Sequence, residues 1–443
     1  MDRPNVVMLV LDTVRADRVS AMGYDRPTTP RLDEFLADAT TFSDAVAQAP
    51  WSVPSHASLF TGEYPRDHGT TITSPILSEG PVLPEQLSAA GYDTVAVSPN
   101  EYVRPATGFA RGFDEFHTPG ITEPAVTADL LGRAVNWFTG TAAVRYPVEQ
   151  VFNSLRSTGG TTTEPAEPPA YGVPETVDGA LDRCSEPFFL FANLFDAHLP
   201  RSPASEHRER FVDESLSDTE LVENERAYMT GGYEPDERAL RRMSQLYDAD
   251  LRTLDDRFRA VMATLGERGV LEDSLVVVVS DHGEHLGEFG LLGHQFSVFE
   301  ETVSVPLGIS FPGGGPGDVA EQVEIRRLYH TVLDVAGVES FPERSLASGE
   351  GDEVARGSYH SPMVDIDRYL WGGEYVTAPA LLGEAISFVR TGDEKRIRYD
   401  GSEWLFDLPE RDCNHLSRRR APESRGAPAR ERGSEQPGIE VER

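Results

Sequence analysis

Positive charge is what this 443-residue chain most lacks. Lys395 is its only lysine, and 40 Lys and Arg side chains stand against 74 Asp and Glu, a formal balance of −34. So acidic a surface repels phosphate backbones and anionic lipid, which excludes nucleic acid and membrane surfaces as partners. It also predicts a halophilic setting, because at molar salt a Debye length of about 3 Å screens the self-repulsion of such a coat. Cysteine is nearly absent. Cys184 and Cys413 leave disulfides and thiolate metal sites little or no part. Long hydrophobic runs are missing too: none approaches the ~20 residues that cross a bilayer. The opening Met-Asp-Arg-Pro-Asn runs straight into an apolar stretch without room for a secretory signal. The expectation is a cytoplasmic protein without a membrane span.

What is present is a set of short apolar runs, two of which stop abruptly at an acid. Asn5-Val-Val-Met-Leu-Val-Leu ends in Asp12, and Ser274-Leu-Val-Val-Val-Val-Ser ends in Asp281-His282. Both read as buried strands. In open α/β sheets, ligands gather at the carboxyl ends of parallel strands, so the two ends can aim hard donors at one point. A third segment, Trp51-Ser-Val-Pro-Ser-His-Ala-Ser-Leu-Phe-Thr-Gly62, places Ser52 just ahead of a helix whose first turn holds Pro54. Unpaired N–H groups at a helix N-terminus favour an anionic oxygen, which suits a nucleophile attacking a sulfate or phosphate ester. A capping serine is the plain alternative.

Further along, Pro27–Ala37 reads as turn and helix, and Thr41-Phe42 leads toward the Ser52 turn. Leu83–Ala90 reads as helix, Asp93–Ser98 and Pro187–Leu194 as strands, and Arg238–Arg268 as a crossing helix. Such alternation argues for a largely parallel sheet covered on both faces. Ile386–Arg390, Lys395–Tyr399 and Trp404–Asp407 read as short strands of a separate sheet.

The motifs in order resemble the sulfatase branch of the alkaline phosphatase superfamily. They are the Ser52 turn closing in Leu-Phe-Thr-Gly, Tyr64-Pro-Arg-Asp-His-Gly69, His198-Leu-Pro, Tyr247-Asp-Ala-Asp-Leu-Arg-Thr-Leu-Asp-Asp256, Ser280-Asp-His-Gly-Glu284 and Glu300-Glu-Thr-Val-Ser-Val-Pro306. The resemblance runs from Pro4 to about Asn414. It implies an α/β fold with a large mixed, mostly parallel sheet flanked by helices, plus a small C-terminal antiparallel sheet. The implied organisation is a catalytic domain over 1–338 with an insertion or lid at 118–182, a subdomain over 339–417, and a disordered tail over 418–443.

The resemblance also assigns roles. Asp12, Asp281 and His282, with Ser52, are the implied ligands of one divalent metal ion, Ca²⁺ first and Mg²⁺ or Mn²⁺ next. Ser52 is the implied nucleophile, as serine or oxidised to formylglycine. The arginine of the family's modification signal is replaced by His56, one turn beyond Ser52 and available to contact the nucleophile or substrate. Thr13 stands where many sulfatases have a second acid; the Asp12-x-x-Arg15-Ala-Asp17 form looks more like phosphonate monoester hydrolases. His198 matches the histidine that contacts the ester and protonates the leaving group. His294 stands near the lysine that grips sulfate, and Asn100 where a Gly-Lys-x-His segment is missing. Arg66 and His68 read as structural, and Glu284, His285 and Glu288 as supporting or solvated groups. The implied function is hydrolysis of a small-molecule or glycan sulfate ester. The alternatives are phosphoester or phosphonate hydrolysis, group transfer from unmodified Ser52, and a catalytically weakened binding protein.

Overall fold

The run Asn5–Leu11 forms β1, and alternation along it explains why every residue is apolar from Val6 onward. Val6, Met8 and Val10 enter one hydrophobic core while Val7, Leu9 and Leu11 enter a second, so both faces are covered. The computed structural model describes residues 3–71, 74–121, 171–217, 219, 221, 235–288, 291–294, 297–360, 385–399 and 402–408. All of the expected 118–182 insertion except its two ends, and the whole of the 418–443 tail, lie outside these residues.

The main sheet is built from β1, β2 (Thr40–Val46), β3 (Asp93–Val97), β4 (Glu115–His117), β5 (Phe188–Leu194) and β6 (Ser274–Val279). A two-stranded ribbon, β7 (His285–Leu286) with β8 (Leu292–Gly293), follows. The main sheet then takes β9 (Ser304–Ser310), β10 (Gly317–Val319) and β11 (Val323–Glu324). Its order is β10-β2-β9-β6-β1-β5-β3-β4, with β11 also on β2. The centre, β6-β1-β5-β3, is parallel throughout; β9 alone runs antiparallel to its neighbours β2 and β6. This is the mixed, mostly parallel sheet the sequence predicts.

Helices cover both faces. On one lie α1 (Pro30–Asp38), α4 (Val173–Leu181) and the 31-residue α5 (Glu237–Glu267); on the other lie α2 (Ser52–Thr61), α3 (Leu83–Ala89) and α6 (Leu328–Val335). Asp236 caps α5 by accepting from Ala239 N at 2.8 Å.

The small sheet is an antiparallel meander of β12 (Ala355–Tyr359), β13 (Ile386–Arg390), β14 (Glu394–Tyr399) and β15 (Ser402–Asp407). It adds β12 to the three strands read from sequence. Gly357 lets β12 press against the main sheet: a Cβ there would meet Gln48 O at 2.5 Å and the Phe388 ring at 2.3 Å. The only lysine sits in this seam. Lys395 is 1% exposed, donates to Glu300 Oε1 at 2.6 Å and lies 4.5 Å over the Phe388 ring. Arg390 joins the same pair of elements by bridging Asp44 and Glu300.

Candidate active site

Four neighbouring parallel strands deliver the site from their carboxyl ends. β1 ends at Asp12, β6 at Asp281-His282, β5 carries Asn193 near its end, and β3 runs through Ser98-Pro99 into Asn100. Asp12, Asp281 and His282 are fully buried, and each offers a donor atom within 4.8 Å of the others. The carboxylates are held alike. Asp12 Oδ2 accepts from Asn100 Nδ2 at 2.8 Å and Asn193 Nδ2 at 3.0 Å, while Asp281 Oδ1 accepts from His282 N at 2.9 Å and Thr13 N at 3.3 Å. Their other oxygens, Asp12 Oδ1 and Asp281 Oδ2, accept no hydrogen bond among the described residues. Buried bare anionic oxygens are costly without a cation between them. His282 Nδ1 donates to Gly283 O at 2.9 Å, which fixes Nε2 as the nitrogen with a free lone pair. Two oxygens and an imidazole nitrogen facing one point fit a hard or borderline divalent cation.

Local backbone supports this convergence. Thr13 is the one non-glycine with positive φ among the described residues, at 61°, a costly conformation for a β-branched side chain. Its N–H thereby turns to Asp281, and Tyr247 Oη holds its carbonyl at 2.7 Å. Gly283 passes so close to Glu301 O that a Cβ would lie 2.1 Å from it.

Ser52 is the first residue of α2, as the proline spacing predicts, with Trp51 extended before it. Its Oγ stands 3.2 Å from Asn100 Nδ2 and 3.3 Å from His282 Nε2. Asn100 has only N–H to give, so Ser52 Oγ accepts there. His56 is fully buried one turn on, and its Nδ1 gives its proton to Ser52 O at 2.9 Å. With that proton committed, the 3.3 Å approach of Nδ1 to Asp281 Oδ2 is electrostatic rather than a hydrogen bond. The imidazole thus meets the serine's carbonyl, not its hydroxyl, between the edges of Phe109 and Phe191.

Three histidines line up from the metal-type cluster: His282 and His294 ring centres are 4.5 Å apart, His294 and His198 5.1 Å. His198 Nδ1 donates to Leu199 O at 2.6 Å, leaving Nε2 as the nitrogen that can exchange a proton, and Phe195 stacks on the ring. His294 Nδ1 lies 3.5 Å from Glu284 Oε1, and Glu284 pairs with buried Arg201.

Electrostatics separate these groups. Burial, then the charge of Asp281, raises the Asp12 carboxyl; Asp281 is lowered despite burial because His282 and His56 stabilise its charge. Burial pushes His198 down, and burial with His282 and His198 pushes His294 well down, so His294 offers a neutral ring at pH 7. Burial opposes protonation of His56, but Asp281 and Asp12 outweigh it and raise its pKa.

Glu284 and His285 are buried, and Glu288 pairs with Arg15 at 2.8 Å, so these groups support the loop rather than face water. His68 contacts Ser58 Oγ at 3.2 Å inside the protein, while Arg66 is exposed. Sequence reasoning missed three residues. Asn193 was findable as the one polar side chain in the apolar run Phe188–Leu194. Tyr247 lay inside a quoted motif without an assigned role, and Arg201 gave no signal.

Fold and site together define an alkaline phosphatase-like α/β hydrolase. The sulfatase family model matches residues 4–338. An arylsulfatase of Clostridium perfringens is 24% identical over 445 residues, covering 94% of this chain and 90% of that protein. A multifunctional alkaline phosphatase superfamily protein of Trinickia caryophylli is 25% identical, covering 71% and 69%. Among solved structures, the phosphonate monoester hydrolase of Agrobacterium radiobacter superposes with TM-score 0.66 at 19% identity, covering 92% of this chain and 89% of that one. The chain belongs to the sulfatase family.

Proposed function

We infer that this protein is a metal-dependent hydrolase that cleaves a sulfate ester of a small molecule or glycan through an oxygen carried by Ser52. One observation carries the reading: a hydroxyl at a helix N-terminus stands 3.3 Å from His282 Nε2, beside two buried carboxylate oxygens that accept no hydrogen bond among the described residues. A divalent cation held by Asp12, Asp281 and His282, with Ser52, supplies charge that polarises the ester and lowers the pKa of a hydroxyl beside it. The N-terminus of α2 steadies the anionic group, and Asn100 donates to the Ser52 oxygen as charge develops on it. His198 Nε2, bare at rest because Nδ1 holds the ring's proton on Leu199 O, would take up the proton that the Ser52-borne hydroxyl loses and pass it to the leaving oxygen as the ester bond breaks. His294 bounds the anion's pocket, while His56 holds the Ser52 carbonyl from the core side. The catalytic unit is residues 1–338, with 339–417 as a smaller partner, and the acidic coat suits a salt-rich setting.

A second reading, phosphoester or phosphonate hydrolysis or transfer, is favoured by His56 in the arginine's place. Unmodified Ser52 would then attack phosphorus and be released by water or an acceptor alcohol. Mass spectrometry of the Ser52 peptide separates the two. A loss of about two mass units marks the aldehyde and supports sulfate; intact serine with phosphonate turnover supports phosphorus. Turnover that survives Ser52→Ala overturns both, and hydrolysis of neither aryl sulfate nor aryl phosphonate leaves a binding protein.

A further inference from the structure

Neither carboxylate is free to turn both oxygens toward a cation, and at Asp12 the restraint is made of side chains. Asn100 arrives from the end of β3 and Asn193 from β5, each placing Nδ2 on the same oxygen, Asp12 Oδ2, at 2.8 and 3.0 Å. All three residues are buried, so no water competes for that oxygen. Asn100 is itself fixed, since its Oδ1 accepts from Tyr102 N at 2.8 Å and its second N–H reaches Ser52 Oγ at 3.2 Å. Asn100 is therefore held in place where a lysine or water would not be.

We propose that Asn100 and Asn193 are positioning residues that clamp Asp12 Oδ2, so that Asp12 meets the cation through Oδ1 alone. The backbone N–H groups of Thr13 and His282 impose the same limit on Asp281. The protein then offers two single carboxylate oxygens, one imidazole nitrogen and the Ser52 oxygen. Single carboxylate oxygens with an imidazole nitrogen suit a smaller six-coordinate cation that completes its shell with water better than Ca²⁺, whose all-oxygen shell often includes bidentate carboxylates. This inference rests on the metal reading above and adds the selectivity of the site to it.

The test is calorimetric titration of the metal-free full chain with Mn²⁺ and with Ca²⁺, comparing wild type, Asn193→Ala and Asn100→Ala, with Asp12→Asn as control. The clamp predicts that each Asn variant loses about 10- to 100-fold in Mn²⁺ affinity. Ca²⁺ affinity falls less or rises, because a released Asp12 can chelate with both oxygens, so the Mn²⁺ to Ca²⁺ ratio narrows. Circular dichroism checks that each variant folds, and two variants from different strands guard against one failing. Unchanged Mn²⁺ affinity in a folded Asn variant overturns the clamp, as does an equal loss for both cations. Wild type that binds neither cation, like Asp12→Asn, overturns the metal reading instead.

Discussion

Replacing Asp12 by Asn should stabilise the metal-free protein while abolishing its response to metal. Asp12 and Asp281 are fully buried, with donor atoms at most 4.8 Å apart. Two like charges at that distance repel by about 3.5 kcal/mol at an effective dielectric near 20. Asn keeps an oxygen for the Asn100 and Asn193 amides, but bonds to a neutral acceptor are each weaker by about 1 kcal/mol. The difference leaves a gain of roughly 1.5 kcal/mol for the metal-free variant. Wild type should recover more than that on loading, since a ligand at 100 times its dissociation constant adds about 2.7 kcal/mol. The assay is urea unfolding at pH 8 and fixed high salt, with chelator and then with Mn²⁺ or Ca²⁺. The reasoning is refuted if metal-free Asp12→Asn unfolds at lower urea than metal-free wild type, or if metal stabilises the variant as much as wild type.

Other consequences are as direct. Burial raises the Glu301 carboxyl to about 7; its contribution to stability is complete below the unfolded value near 4.5 and is lost as pH rises through about 7. Glu301→Gln should therefore flatten the stability profile between those values, and melting curves across pH will show it. His198→Ala should slow alkyl esters by roughly 10²- to 10⁴-fold yet spare nitrophenyl esters, whose leaving oxygen needs no proton; kcat across a leaving-group series reads the difference. With a formal charge of −34, the midpoint of thermal unfolding should climb from 0.1 M salt, where the Debye length is about 10 Å, toward molar salt. A flat salt response would remove the case for a halophilic setting.

Legibility in the sequence followed burial and periodicity. β1, β5 and β6 were readable because strands covered on both faces are continuous apolar runs. α5 was readable from amphipathic period, missing by one residue at each end. β9 was not read as a strand, because Pro306 and Gly308 break the pattern inside Ser304–Ser310; its antiparallel pairing with β6 supplies what propensity does not. β12 failed for a similar reason, since Gly357 is chosen for a close backbone approach rather than for strand character. At the site, Asp12, Ser52, Asp281 and His282 were visible as residues that end apolar runs or open a helix. Partnerships across strands were not visible. Nothing local told that Asn100 and Asn193 meet on one oxygen of Asp12, or that Arg201 reaches Glu284 behind His294. Such contacts depend on strand order, which the spacing of motifs does not encode.

Anomalous diffraction from crystals soaked in Mn²⁺ puts the centre of this account to its plainest trial. The account predicts one strong peak about 2.2 Å from Asp12 Oδ1, Asp281 Oδ2, His282 Nε2 and the Ser52 oxygen together. No peak among those four atoms, or a peak bound elsewhere with Ser52 left apart from it, would contradict it.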